Sequence, residues 1–143
     1  MQFSKNWLND FIDIDLSTED ICAQLTMAGL EVDGFENINS KITGKDSIIK
    51  LDITPNRGDC FSVLGVAREL AVINNLKLRL PDISSVEDSF KDHVQVKVCP
   101  EGPSYYGRTL KNLSLDSKTD PLIAERLRLS DQKLIDPVVD ITN

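Results

Sequence analysis

The chain has 143 residues, of which 41% are hydrophobic and only seven are glycine and six proline, a length and composition that fit one domain or two small ones around a buried core. It carries 23 acidic against 16 basic residues, a formal charge of -7, which argues against a stand-alone nucleic-acid binder because Lys and Arg supply non-specific affinity for phosphates. No apolar run approaches the roughly 20 residues of a membrane helix, and the first residues lack a secretory-signal pattern, so a soluble cytoplasmic protein is expected.

Ser4 can cap a helix over Lys5–Phe11, with Phe3 and Leu8 closing a hydrophobic staple. Trp7, Leu8 and Phe11 then share a face, where Trp7 reads as a core anchor and not as a stacking platform. Leu16-Ser17-Thr18-Glu19-Asp20-Ile21 repeats the device, with Ser17 as cap and Asp20 at the reciprocal position. Ile21, Leu25 and Ala28 recur on one face of this second helix. Gly29 then supplies a left-handed end, and Leu30 after it can contact Leu25. Leu30–Phe35 leaves as an extended segment with Leu30, Val32 and Phe35 inward, and the polar Asn37–Asp46 reads as a loop.

Ile49, Leu51 and Ile53 alternate with Ile48, Lys50 and Asp52, the period of a strand with one buried face. Pro55 stops it, and Pro55-Asn56-Arg57-Gly58 reads as a tight turn. Asp59 is the expected cap of a mostly buried helix over Cys60–Asn74, and Arg57 and Asp59 are close enough for a local ion pair. Gly65 inside that helix costs roughly 1 kcal/mol against alanine, which is explained if another backbone packs on it.

Leu76–Leu80 is extended, and the acidic, serine-bearing Pro81–Asp92 reads as a linker. His93–Val98 and Tyr105–Leu115 have the look of strands on either side of a turn holding Pro100, Gly102 and Pro103. Asp120-Pro121 starts a helix to about Leu129, with Leu122, Ile123 and Leu127 inward and Glu125, Arg126 and Arg128 solvated. Val138–Ile141 reads as a short β-branched strand, and its stop at Asn143 without a terminator looks like a cut.

Cys22, Cys60 and Cys99 are odd in number and far apart, and His93 is the single histidine, so neither a zinc pattern nor a CxxC pair is present. A Cys60–His93 nucleophile pair is formally open, but small buried thiols, reduced in the cytosol, and a surface histidine are the favoured reading.

Three ordered blocks carry a resemblance. They are Thr26-Met27-Ala28-Gly29-Leu30-Glu31-Val32-Asp33, the run Thr54-Pro55-Asn56-Arg57 with Asp59-Cys60, Gly65-Val66-Ala67-Arg68 and Leu70-Ala71, and Ile135-Asp136-Pro137-Val138-Val139-Asp140-Ile141-Thr142-Asn143. Together they resemble the β subunit of bacterial phenylalanyl-tRNA synthetase. The resemblance covers nearly the whole chain except Asn37–Asp46, where the family carries an inserted oligonucleotide-binding-fold domain that this chain lacks.

It implies an α+β chain: a winged-helix-like first domain over 1–80 with a short sheet, a linker over 81–92, and over 93–143 the incomplete start of an α+β editing domain. It also implies a parent enzyme that joins phenylalanine to its tRNA with ATP and magnesium, in a heterotetramer with an α subunit that holds those catalytic motifs, and that edits mischarged tyrosyl-tRNA. The family's editing histidine is not in this sequence. No catalytic, cofactor or metal residue is therefore expected here, and this segment should be structural and inactive alone. Tyr105, Gly107 and Arg108 resemble a Tyr-x-Gly-Arg feature of the editing region, and Lys133 stands where the family usually has arginine, so Arg108 and Lys133 are the candidate tRNA contacts. Asn56, Arg57, Gly58, Asp59 and Arg68 are given no catalytic role. Two other readings stay open: a non-enzymatic protein-interaction module, and a winged-helix nucleic-acid-binding domain that reads with the Cys60–Asn74 helix.

Overall fold

Gln2–Ser4 forms a strand, β1, and the Ser4 hydroxyl then accepts the Trp7 N–H at 3.1 Å to start α1 (Lys5–Leu8). The computed structural model describes residues 1–91, 95–102, 104–114 and 116–143. At three residues β1 is too short to show a period, so the sequence hides it. The helix ends earlier than its apolar spacing suggests, and Phe11 continues as a turn, its N–H reaching Leu8 O at 3.0 Å. Trp7 packs against the core, as its neighbours imply.

Ser17 caps α2 (Thr18–Met27) by accepting the Asp20 N–H at 3.0 Å. The helix closes as expected: Gly29 has φ 85°, its N–H reaches Thr26 O, and the Leu30 N–H reaches Leu25 O, both at 3.0 Å. That pair of bonds satisfies two carbonyls that the helix leaves free.

Residues Glu31–Ser40 and Gly44–Asp52 are strands β2 and β3 of one hairpin, and the antiparallel sheet runs β1-β3-β2. The expected loop at Asn37–Asp46 is thus mostly paired strand, with Ser40 opposite Gly44 and Asn37 opposite Ser47. Ladder bonds come from the backbone, so polar side chains on an exposed hairpin do not prevent them. A bulge leaves Asp33 as an extra residue between Val32 and Gly34. It explains why Val32 and Phe35, three positions apart, both pack on the core. Ile49 and Leu51 of β3, with Phe3, Leu8, Ile21, Leu25 and Leu30, are almost fully buried there.

Pro55–Cys60 is a 3-10 turn, followed by α3 (Val63–Ile73). Here the expectation of Asp59 as cap is corrected. Ser62 caps α3, accepting the Gly65 N–H at 3.0 Å, because the Asp59 carboxylate is engaged by Arg57 at 3.1 Å. The Asp59 backbone lies over Gly65, where an added Cβ would sit 1.9 Å from the Asp59 carbonyl oxygen. Val66, Ala67 and Leu70 face inward and are fully buried.

Asp120 caps α4 (Pro121–Leu129) through the Leu122 N–H at 2.9 Å, and Asp136 caps α5 (Pro137–Thr142) through the Val138 N–H at 2.9 Å. Val138–Ile141 is therefore helical and not a strand. The Asp-Pro pair that starts α4 recurs at Asp136-Pro137, and cap plus proline outweighs the weak strand preference of three β-branched residues. On α4 Leu127 and Leu129 are buried, whereas Leu122 is 41% exposed, and Glu125 is buried instead of solvated. The Gln2 side chain donates to Leu129 O at 3.0 Å, so α4 lies along β1.

Asp131 ends α4 with φ 58°, its N–H reaching Arg128 O at 3.2 Å and the Gln132 N–H reaching Leu127 O at 2.8 Å. A left-handed residue with a Cβ is strained, so Asp131→Gly is expected to raise stability by about 0.5–1 kcal/mol, read as a higher urea midpoint at unchanged slope.

Contacts divide the chain into two units, Met1–Pro81 with Ser117–Asn143, and Asp82–Asp116. In the second, the described residues form a single isolated bridge, Cys99 to Gly102. The strand readings of His93–Val98 and Tyr105–Leu115 are not realised there, and His93, Val94 and Leu115 lie outside the described residues. Val96 and Val98 are each 50% exposed: alternating apolar residues make a strand only when a neighbour supplies its ladder.

Candidate functional site

The most interlocked charged cluster is built by the turn that Pro55 begins. Arg57, 23% exposed at its side chain, donates to Asp59 at 3.1 Å and Glu69 at 2.8 Å, and reaches Cys60 Sγ at 3.1 Å and Ala28 O at 3.5 Å. One guanidinium thus ties the 3-10 turn to α3 and to the end of α2. The hydrogen bond from Arg57 and then that from Cys60 hold the Asp59 carboxyl down at about 2, while Arg57 is pushed up, chiefly by Asp59. Burial first, then Asp59, pushes the Cys60 thiol up to about 11.

Asp59, Cys60 and Glu69 place their ligand atoms within 4.8 Å of one another, the spacing of a metal set. The cluster is already satisfied from within, since Arg57 donates to both carboxylates and reaches the Cys60 sulfur and so supplies the positive charge a metal would bring. The cluster is a structural knot. The ion pair expected between Arg57 and Asp59 is present, and the Cys60–His93 pair is left untouched, because His93 lies outside the described residues. Cys22 and Cys99 are free thiols, half-buried and exposed respectively.

A polar cleft of about 620 Å³ lies between α1 and the hairpin, bordered by Lys5, Asn6, Asn9, Asn37 and Lys45. It offers amides and ammonium groups. Its one carboxylate, Asp46, is buried and already accepts from the Ser4 hydroxyl at 2.5 Å and from the Asn6 and Ser47 N–H groups at 3.0 and 2.7 Å. That leaves it without the free base a hydrolytic reaction needs.

Glu125, the buried acid on α4, accepts from Arg128 Nε and Nη2, each at 2.9 Å, and from the Ser40 hydroxyl at the end of β2. These bonds, Arg128 first and Ser40 second, hold its carboxyl at about 2. A carboxyl lowered on folding stabilises fully above its ordinary pKa and loses that contribution as pH falls through the folded value. Glu125→Gln is therefore expected to melt lower at neutral pH but to lose less between about pH 5 and pH 2. Thermal melts across that window measure it.

Of the candidate tRNA contacts, Arg108 belongs to the second unit, half-exposed, and donates to Asp88 at 3.0 Å and Val86 O at 2.9 Å. Lys133 belongs to the first, exposed in the turn after α4. Each stands in its own unit with its own neighbours. Sequence reasoning missed Glu125 and Ser40; a charge three residues before Arg128 on α4 was the signal for half of that contact. The α3 helix turns its apolar face into the core and exposes one cation, Arg68, too little charge for a phosphate-reading helix. Among the described residues no helix is long and apolar enough to cross a membrane.

No family model matches the chain. Among curated proteins, the phenylalanine–tRNA ligase β subunit of Acinetobacter baylyi is 43% identical over 108 residues, 75% of this chain and 14% of that subunit. That of Coxiella burnetii is 41% identical over 110 residues, 76% of this chain and 14% of the subunit, and that of Legionella pneumophila strain Lens 44% over 100 residues, 68% and 13%. The chain spans about one seventh of the length of these relatives, 13–14%.

Proposed function

Since this chain belongs to the phenylalanine–tRNA ligase β-subunit family, we propose that it acts as the N-terminal, structural part of such a subunit and holds no reaction centre of its own. The observation that carries this is the 43% identity over 108 residues, together with a strongest charged cluster that is knotted around Arg57 and not open to a substrate. In this reading the parent enzyme is cytoplasmic, attaches phenylalanine to its tRNA using ATP and magnesium, and pairs with an α subunit that carries those steps. Its β subunit removes tyrosine wrongly joined to the tRNA.

The division into 1–80, 81–92 and 93–143 is then one of family modules, with the last the opening of the editing module. In the folded chain Ser117–Asn143 forms one compact unit with Met1–Pro81. Arg108 and Lys133, both exposed cations, are proposed to meet the tRNA backbone, where neutralising either one should weaken binding and flatten its salt dependence.

Phenylalanine-dependent exchange of pyrophosphate into ATP tests the reading. The purified chain is expected to give the buffer value, and to leave tyrosyl-tRNA intact. Grafting its Leu51–Leu70 in place of the counterpart in the Acinetobacter baylyi subunit should preserve that enzyme's assembly and exchange. Activity of the chain alone that survives repurification, or a graft that folds but no longer assembles, overturns it.

A further inference from the structure

The outer faces of α2 and α3 carry apolar side chains that nothing in the described structure covers. Met27 is 88% exposed and Ile73 43%, and with Ala23 they border a shallow apolar groove of about 330 Å³ between the two helices; Val72, 76% exposed, precedes Ile73 on α3 and lies outside that lining. Single exposed apolar residues are ordinary, but a contiguous group marks a contact surface.

Two sets of bonds fix how the helices run. The Gln24 and Asn74 side chains exchange hydrogen bonds of 3.0 and 2.7 Å, so the middle of α2 lies beside the end of α3. Ala28, just past α2, accepts from the same Arg57 that holds Glu69, so the end of α2 lies beside the middle of α3. The helices are therefore antiparallel. The α2 stripe Glu19, Ala23, Met27, at four-residue spacing, runs opposite in sense to Arg68 and Val72 on α3. An exposed acid ends the face on one side and an exposed cation on the other, with the apolar residues between. Neither Glu19 nor Arg68 forms an ion pair among the described residues.

A face with opposite charges at its two ends is complementary to itself after a half-turn about its middle. We propose that this face is the contact between two copies of this chain in a symmetric dimer, Arg68 of one copy meeting Glu19 of the other while Met27, Val72 and Ile73 pack across the twofold axis. Helices of 10 and 11 residues are only about 15 Å long, so the contact is smaller than a standard interface and the dimer is weak and concentration-dependent. The proposal stands on this face alone and does not need the synthetase reading.

Sedimentation equilibrium from micromolar to millimolar chain is the test. The weight-average mass is expected to rise from one chain toward two, and added salt to oppose the rise. Arg68→Glu and Glu19→Arg should each weaken association by about tenfold, and the double charge swap should restore it. Val72→Glu, at the apolar centre, should abolish it. All three positions are exposed, so circular dichroism of the variants should be unchanged. A single-chain mass at every concentration overturns the proposal, whether or not the face captures a different chain, and so does a double variant that associates no better than the single ones.

Discussion

Replacing Gly65 by alanine is expected to destabilise the first unit by on the order of 3 kcal/mol, although alanine is the better helix former by about 1 kcal/mol. The new Cβ would stand 1.9 Å from the Asp59 carbonyl oxygen, 3.0 Å from its carbon and 3.1 Å from Cys60 Cα. All three atoms are backbone, so no side chain can swing aside, and either α3 or the 3-10 turn must move. Moving the turn pulls Asp59 from Arg57 and, through Arg57, loosens Glu69 and the end of α2. Gly58 is the control, because a Cβ there meets nothing within 4 Å and its backbone is not left-handed. Gly58→Ala should change stability by no more than about 0.5 kcal/mol, while Gly65→Ala should lower the melting temperature by about 10 °C or more. Equal effects at the two glycines would remove the close approach as the reason for Gly65.

That approach was readable from one residue, because a glycine inside an otherwise apolar helix needs a neighbour that tolerates no side chain. The caps at Ser4, Ser17 and Asp120, and the left-handed Gly29, were readable for the same local reason: each signal and the bonds it makes lie within five residues. What stayed hidden depends on partners distant in sequence. β1 becomes a strand only because Ile49 pairs with Phe3, and Asn37–Ser40 only because Gly44–Ser47 lies opposite. Asp59 was a reasonable cap by type and lost the role to Ser62 once Arg57 claimed its carboxylate. Glu125 read as solvated because nothing local announces Ser40, 85 positions away. Arg57 is the mixed case, since its pairing with Asp59 spans two residues, but its hold on Glu69 and Ala28 emerges only after α2 and α3 have packed.

The same dependence on distant partners makes α4 the place where the second large effect is expected. Leu129→Ala should cost about 2–5 kcal/mol, the range for removing a buried leucine where the surroundings relax only partly. Leu129 is 1% exposed, its carbonyl takes the Gln2 side chain, and α4 also anchors through Arg126, which pairs with Asp10 and lies 5.3 Å from the Trp7 ring centre. β1 is three residues long and is bonded to β3 on one side, so α4 supplies much of the cover that keeps its amides from water. If Ser117–Asn143 completes the first unit, the substitution should speed amide exchange in the paired residues of β1 and β3 as well as within α4. If that segment were a loosely held appendage, only its own amides would accelerate and the melting of the β-hairpin would stay where it was. Glu125 links α4 to Ser40 at the end of β2, so a destabilised α4 should loosen the hairpin tip before it loosens Ile49 and Leu51 in the centre of the sheet.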